Sequence, residues 1–511
     1  MKKQSIVLIL GLVVFALLML MPQPLGMTKE GQHLLAVVLL MAIWWMGEAT
    51  SISITALLPI ILFPLLGIMP SKAVSINYTN PLVFLFLGGF MIALAMEKWN
   101  FHKRIALWII SFIGTDLKLI ILGFMTASAF LSMWISNTAT TMMMLPVAMA
   151  VVIQISSESY LNGVRDENTA KAIQNSLGLV LMLGLAYSAS IGGVGTLIGT
   201  PPNIIFAGLY KNLYPEYGNI GFLKWMIMAM PLVIIFIPIV WLYLCRFIAT
   251  IPLNEIEFCK DKPNVIKDEL ALLGKMSSAE KMIAVVFFST ALLWIFRQPI
   301  TLNDVIIPGW SNLFEHPDLI DDSTVAMTMG VLLMILPVNY LKGVDLKGKK
   351  EFFILDWETI QSRVPWGTLL LFGGGFALAS GFSQTQLDLW IGGHFKNIGT
   401  FPFILIVLVI CLAITFLTEL TSNTATTTMI LPIIGATAIA ANYHPLMFMI
   451  PATISASFAF MLPVATPPNA IVYGSGWVTI NKMSKAGIYL NLIGAILITM
   501  MVLILVEKIY L

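Results

Sequence analysis

Charge is what this chain has least of. Only 11% of its 511 residues are Asp, Glu, Lys or Arg, and 58% are apolar. A soluble domain carries about 25% charged residues, so this composition leaves no surface to give to water. A formal net charge of +2 argues against a nucleic-acid or polyanion partner. Cysteine is scarce too: Cys245, Cys259 and Cys411 lie far apart without a CxxC, which excludes a disulfide framework. The five histidines, His33, His102, His316, His394 and His444, have no metal-ligand spacing. The apolar runs contain neither HExxH nor a catalytic Asp pair, so an intramembrane enzyme is not expected, nor is a cofactor.

What the chain does have is apolar runs long enough to cross about 30 Å of hydrocarbon, from end to end. With a mean hydropathy of +0.91, it reads as an all-α polytopic membrane protein. Lys2 and Lys3 precede an apolar run at 6–21 that resembles a secretory signal. The flank at 22–27, Pro-Gln-Pro-Leu-Gly-Met, has no small-x-small cleavage site. The run is therefore expected to stay as a first transmembrane helix within 1–32, its basic end in the cytoplasm. Mixed-charge stretches at 251–281 and 342–351 read as solvated connections without chemistry, the lysine-rich 342–350 on the cytoplasmic side. A further polar connection, 297–323, is expected outside the cell.

An internal repeat organises the rest. Ser-Asn-Thr-Ala-Thr-Thr occurs at 136–141 and again, unchanged, 286 positions later at 422–427. In the same register Leu145-Pro146 meets Leu431-Pro432, and Phe86-x-Gly88-Gly89-Phe90 meets Phe372-x-Gly374-Gly375-Phe376. Thr-Pro-Pro-Asn at 200–203 returns at 466–469, only 266 positions later. The first half thus carries about 20 extra residues, expected in a polar loop over 154–175. The chain divides into a first repeat at 33–250, a connection with the first helix of the second half at 251–323, and a second repeat at 324–511. Repeats of this kind are typically inverted, with the site at their interface.

The apolar run 118–154 has 37 residues and would span about 55 Å as one helix, nearly twice the hydrocarbon core. Two arms meeting at a polar tip, a re-entrant hairpin, fit better. The run 401–441 repeats the pattern. Ser and Asn suit a helix N-cap, so each second arm offers free N–H groups and a positive dipole end to an anion. In Thr-Pro-Pro-Asn the prolines remove N–H donors and free carbonyls for a hard cation. Gly192, Gly193 and Gly195 loosen the first of these breaks, where the second has Pro463-Val-Ala465. Glycines 88–89 and 373–375 are expected to allow close helix packing. No Lys or Arg lies in the motif regions, so an anion there must be held by helix ends, hydroxyls, amides and bound cations. Glu48 and Glu419 are the conspicuous acids in apolar surroundings, and Glu419 corresponds to Met133 in the first repeat.

These residues resemble the divalent-anion/sodium symporter family of di- and tricarboxylate transporters. The likeness rests on the paired Ser-Asn-Thr and Thr-Pro-Pro-Asn motifs. It rests also on Trp44-Trp45 before Thr-Ala-Leu-Leu-Pro at 55–59, and on Trp-Gly-Thr-Leu-Leu-Leu-Phe-Gly-Gly-Gly at 366–375, and it covers roughly 33–505. It implies about eleven transmembrane helices with two re-entrant hairpins, in a scaffold domain and a transport domain that moves like an elevator. It also implies a homodimer in the cytoplasmic membrane. Its solute would be a C4–C6 carboxylate such as succinate, malate, fumarate, 2-oxoglutarate or citrate. Ser136, Asn137, Thr138, Ser422, Asn423 and Thr424 would hold the carboxylates, helped by Thr200 and Thr466. One cation would sit on Ser132, Ser136, Asn137 and the carbonyl of Gly199, the other on Thr418, Thr421, Asn423 and the carbonyl of Ala465. The register pairs Ser132 with Thr418 independently. Na⁺-coupled symport is the expectation, with Na⁺-independent dicarboxylate exchange, sulfate or other oxyanion transport and a passive channel as alternatives.

Overall fold

Backbone groups in hydrocarbon have only one another to bond to, so a chain of this composition is driven into helices. The computed structural model describes residues 2–114, 116–161, 166–258, 265–302, 305–338 and 352–510; the lysine-rich stretch 342–350 lies outside the described residues. The chain opens with α1 (Lys2–Leu20), α2 (Lys29–Met46), the short α3 (Ile52–Thr55) and α4 (Leu58–Leu65), α5 (Ser71–Tyr78), α6 (Pro81–Lys98) and α7 (Phe101–Ile113). Next come α8 (Leu117–Ser132), α9 (Asn137–Glu158), α10 (Glu167–Gly193), α11 (Pro201–Leu213) and α12 (Phe222–Tyr243). The middle holds α13 (Val265–Leu272), α14 (Ser278–Ile295), α15 (Asp322–Ile335) and α16 (Trp357–Arg363). The second half has α17 (Trp366–Thr385), α18 (Leu387–His394), α19 (Phe403–Thr418), α20 (Asn423–Ala440), α21 (Leu446–Ser455), α22 (Pro467–Tyr473) and α23 (Ile480–Met501). Two short antiparallel strand pairs accompany them: Ser159–Leu161 with Ile256–Phe258, and Ile300–Leu302 with Val305–Ile307.

Among the described residues eight helices are long and apolar enough to cross a membrane. Helix starts follow from capping chemistry. Asn80 accepts from the N–H of Leu82 at 3.0 Å at the head of α6, and Ser277 with Glu280 forms a capping box on α14.

The duplication shows in the packing. Exchanging the halves turns α8 on α10 into α19 on α21, and α8 on α12 into α19 on α23; both packings are present. Likewise α10 on α22 becomes α21 on α11, and α9 on α22 becomes α20 on α11. Helices α12 and α23 have 22 residues each, and both run on into five-residue π-helical turns, at 244–248 and 502–506. The extra length of the first half is not a loop, contrary to the expectation for 154–175. Only 159–166 separates α9 from α10, and α10 has 27 residues against 10 in α21. The reason lies in burial: every residue from Ser176 to Gly193 is buried, so the insertion lengthens a helix enclosed by others.

Two buried ion pairs join segments far apart in the chain. Arg104 of α7 donates from Nε to Glu280 Oε1 at 2.7 Å and from its terminal nitrogens to the carbonyls of Gly274 and Leu273 at 2.9 and 3.2 Å. Arg297 donates from Nε to Asp322 Oδ1 at 2.6 Å, and Asp322 Oδ2 accepts from the N–H of Phe222 at the head of α12. Removing one partner of such a pair strands the other charge, a loss of about 3–5 kcal/mol. Arg104→Ala should therefore lower the thermal midpoint in detergent markedly. Adding Glu280→Gln should recover part of that loss, and thermal denaturation of the purified single and double variants checks both.

Candidate functional site

Both long apolar runs are interrupted, and the interruptions meet. Helix α8 stops at Ser132 and α9 starts at Asn137; α19 stops at Thr418 and α20 starts at Asn423. The four residues between the arms are the tips. Within each hexapeptide the side chains divide their tasks. Thr141 and Thr427 bond back to the carbonyls of Asn137 and Asn423 at 2.8 and 2.7 Å, one turn earlier. The Asn side chains turn the other way: Ser132 Oγ donates to Asn137 Oδ1 at 2.5 Å, and Thr418 Oγ1 to Asn423 Oδ1 at 2.7 Å. Thr418 Oγ1 also reaches the Ala456 carbonyl at 3.0 Å. Thr421 lies 2.6 Å from the hydroxyl of Thr426.

The Pro-Pro breaks stand opposite. Asn203 Nδ2 donates to the carbonyls of Gly193, Val194 and Thr196 at 3.3, 3.3 and 2.7 Å. Asn469 Nδ2 donates to those of Ala459 and Leu462, both at 3.0 Å. Each motif's final Asn thus staples carbonyls of the segment that leads into its own prolines. Gly195 lies in the turn beyond α10, whereas Gly192 and Gly193 do not loosen the first break, since the helix runs unbroken through them. They permit close approach instead: a Cβ on Gly192 would fall 2.2 Å from the Ala129 carbonyl oxygen, and one on Gly193 2.5 Å from Asn137 Oδ1.

Tip and break are tied differently in the two halves. In the first, Thr196 Oγ1 donates to the Met133 carbonyl at 2.5 Å. In the second, buried Glu419 accepts from the N–H groups of Met461 and Leu462 at 2.9 and 3.1 Å and from Asn491 Nδ2 at 2.8 Å. Glu419 replaces Met133 and Leu462 replaces Thr196, so the tying side chain has moved from break to tip. Glu48, by contrast, sits in the turn after α2 with φ +51°, exposed at the rim of the cavity rather than inside an apolar segment.

One cavity of about 1160 Å³ contains both tips and both breaks. Ser136, Asn137, Thr138, Thr200, Ser422, Asn423, Thr424 and Thr466 all line it, as do Gly199, Thr421 and Ala465. Ser132 and Thr418 lie buried behind the tips and reach the site through their Asn partners. Four helices begin here, capped by Ser136, Thr200, Ser422 and Thr466. Ser136 and Thr466 accept from N–H groups of their own helices, whereas the hydroxyls of Ser422 and Thr200 make no such bond. The donors around the tips are hydroxyl, amide and carbonyl oxygens, which suit a hard cation and not zinc or copper. Sequence reasoning missed the ties through Thr196 and Asn491, and it missed the rim, where Trp45, Glu97, His102 and Arg363 join Glu48. The repeated Asn of Thr-Pro-Pro-Asn was the one sequence signal that could have pointed to its stapling role.

A multi-pass helical membrane protein, duplicated around one oxygen-lined cavity with two broken-helix tips, has the architecture of a transporter. The chain belongs to the family described as the sodium:sulfate symporter transmembrane region, which it matches over residues 2–508. It is 42% identical over 506 residues to the sodium-dependent dicarboxylate transporter SdcS of Staphylococcus saprophyticus, covering 99% of this chain and 92% of that protein. It is 42% identical over 499 residues to SdcS of Staphylococcus aureus, covering 98% and 90%. Its fold is similar to the YdaH transporter of Alcanivorax borkumensis, with a TM-score of 0.53 at 11% identity over 99% of this chain and 97% of that one. MtrF of Neisseria gonorrhoeae gives a TM-score of 0.53 at 11% identity over 97% and 94%.

Glu419→Gln tests the tie at the second tip. Gln has one acceptor oxygen where the carboxylate has two, so a buried N–H loses its partner, a loss of about 1–3 kcal/mol. The thermal midpoint in detergent should fall, and fall further for Glu419→Ala, which leaves all three donors unpaired.

Proposed function

We propose that this protein is a secondary active transporter that carries C4–C6 dicarboxylates across the cytoplasmic membrane together with Na⁺. The observation that carries the reading is the meeting of both Ser-Asn-Thr tips in one cavity with no Lys or Arg beside them. A dianion has two like ends, and two matched tips offer one helix start to each. Ser136, Asn137 and Thr138 take one carboxylate and Ser422, Asn423 and Thr424 the other, with the hydroxyls of Thr200 and Thr466 alongside. Helix ends supply partial positive charge only, so cations must complete the neutralisation. Ser132, Ser136, Asn137 and Gly199 form one Na⁺ site, and Thr418, Thr421, Asn423 and Ala465 the other. The names of the staphylococcal relatives, sodium-dependent dicarboxylate transporters, support both solute and ion.

The motion belongs to the same proposal. The units α8–α12 and α19–α23, which hold the tips and breaks, form the transport domain. The remaining helices, with α6 packed on α15 through Gly88 against the Ala326 backbone, form the scaffold. The repeats at 33–250 and 324–511 are inverted, with about eleven crossings in all, the N-terminus is cytoplasmic, and two copies pair through their scaffolds. The matched family and the relatives are transporters, and the protein performs no chemistry on its cargo.

In proteoliposomes an inward Na⁺ gradient should drive uptake of labelled succinate, and sulfate should not compete. Asn137→Ala and Asn423→Ala should each abolish uptake while the protein stays monodisperse. Uptake driven by internal dicarboxylate without Na⁺ would replace symport with exchange. Unchanged uptake in both Asn variants would overturn the site.

A further inference from the structure

The solute-binding end of the cavity has no full positive charge, yet its rim has one. Among the described lining residues Arg363, the last residue of α16, is the only Lys or Arg. Its Nη2 donates to Glu97 Oε2 at 2.5 Å, with the Arg363 side chain 48% exposed and that of Glu97 17%. Fastening α16 to α6 does not depend on this pair. The next two residues do that work: Lys98 Nζ donates to Asp356 Oδ2 at 2.5 Å, and Trp99 Nε1 to the Ile354 carbonyl at 2.9 Å. The Arg363–Glu97 pair is the one of these contacts that lines the cavity.

The guanidinium end of this pair is half exposed, and an ion held at such an end exchanges partners readily. A guanidinium has donors to spare for a second, bidentate carboxylate. Its present partner carries the same chemical group as either end of a dicarboxylate. Glu48 and Glu97 are the acids of the rim, so without Arg363 the mouth would repel a dianion.

We propose that Arg363 is a carboxylate-docking residue at the mouth of the cavity. One carboxylate of the solute displaces Glu97 from the guanidinium on its way to or from the tips, and Glu97 takes the guanidinium back after passage. This rests on the dicarboxylate reading above. It requires that removing the two partners have opposite effects. Losing Arg363 leaves repulsive carboxylates at the mouth, whereas losing the charge of Glu97 frees the guanidinium to hold the anion.

The test uses the full chain in proteoliposomes, with labelled succinate, a fixed Na⁺ gradient and choline chloride to set ionic strength. Arg363→Gln should raise KM for succinate about fivefold at low ionic strength, the rise shrinking at high ionic strength. The Na⁺ dependence should stay unchanged. Arg363→Lys should recover part of the loss, keeping the charge without the fork. Glu97→Gln should lower KM and slow the release half of succinate counterflow. A rise in KM for both Arg363→Gln and Glu97→Gln would overturn the proposal and leave a structural clamp, as would a salt-independent effect of Arg363→Gln. An unchanged KM in Glu97→Gln also overturns it. Absence of succinate uptake by the wild type would sink the transport reading itself; normal wild-type uptake with an unaltered Arg363→Gln would sink only the docking role.

Discussion

A helix cannot stop inside a membrane unless the groups it frees find partners. That constraint governs this molecule, because its site is made of helices that stop. Four begin at one cavity, and the groups freed at the breaks need partners where no sheet is at hand. Asn203 and Asn469 take up carbonyls released before the prolines, and Thr196 and Glu419 lash tip to break. With those bonds made, the N–H ends of the helices and the tip hydroxyls can be left pointing into the cavity. The same atoms that prevent collapse therefore define what can bind.

The halves meet this constraint in unequal ways, which matters for electrostatics. The first tip is tied by a neutral hydroxyl, the second by a buried carboxyl group that takes three N–H donors from two backbone groups and an amide. Identical hexapeptides consequently sit in different fields. Each tie sets one side chain against backbone groups of the facing segment: the Thr196 hydroxyl meets the Met133 carbonyl, and the Glu419 carboxyl group meets the N–H of Leu462. The difference fits a duplication in which each copy kept its geometry while its charge diverged.

Much of the site was legible in the sequence, because identity in register is a stronger signal than any motif alone. The hexapeptides and the Thr-Pro-Pro-Asn pair announced where helices break and which residues meet. Glu419 was visible but not interpretable: its partners are backbone N–H groups and Asn491, which carry no pattern. Arg363 and Glu97 stand 266 positions apart on helices whose contact nothing local predicts. The glycines at 192–193 were misread as flexibility, because a sequence cannot distinguish a glycine that bends from one that lets a neighbouring segment approach. The insertion was misplaced for a related reason. The polar residues at 166–175 look like a loop, but they open α10, a helix whose later turns are enclosed by the protein.

On the proposed reading, the distribution of charge follows from the return journey. A carrier that moves its site across the membrane must also bring it back. A fixed arginine beside the tips would have to cross hydrocarbon without its anion, and an unpaired ion there costs several kcal/mol. Helix ends, hydroxyls and amides carry no net charge and impose no such penalty. Positive charge that arrives with the cargo and leaves with it, as Na⁺ does, neutralises the dianion only while the dianion is present. An arginine is tolerable at the rim because water reaches it and Glu97 neutralises it whenever no substrate does. A site built of dipoles at its depth and a paired arginine at its mouth is thus what alternating movement of a dianion demands.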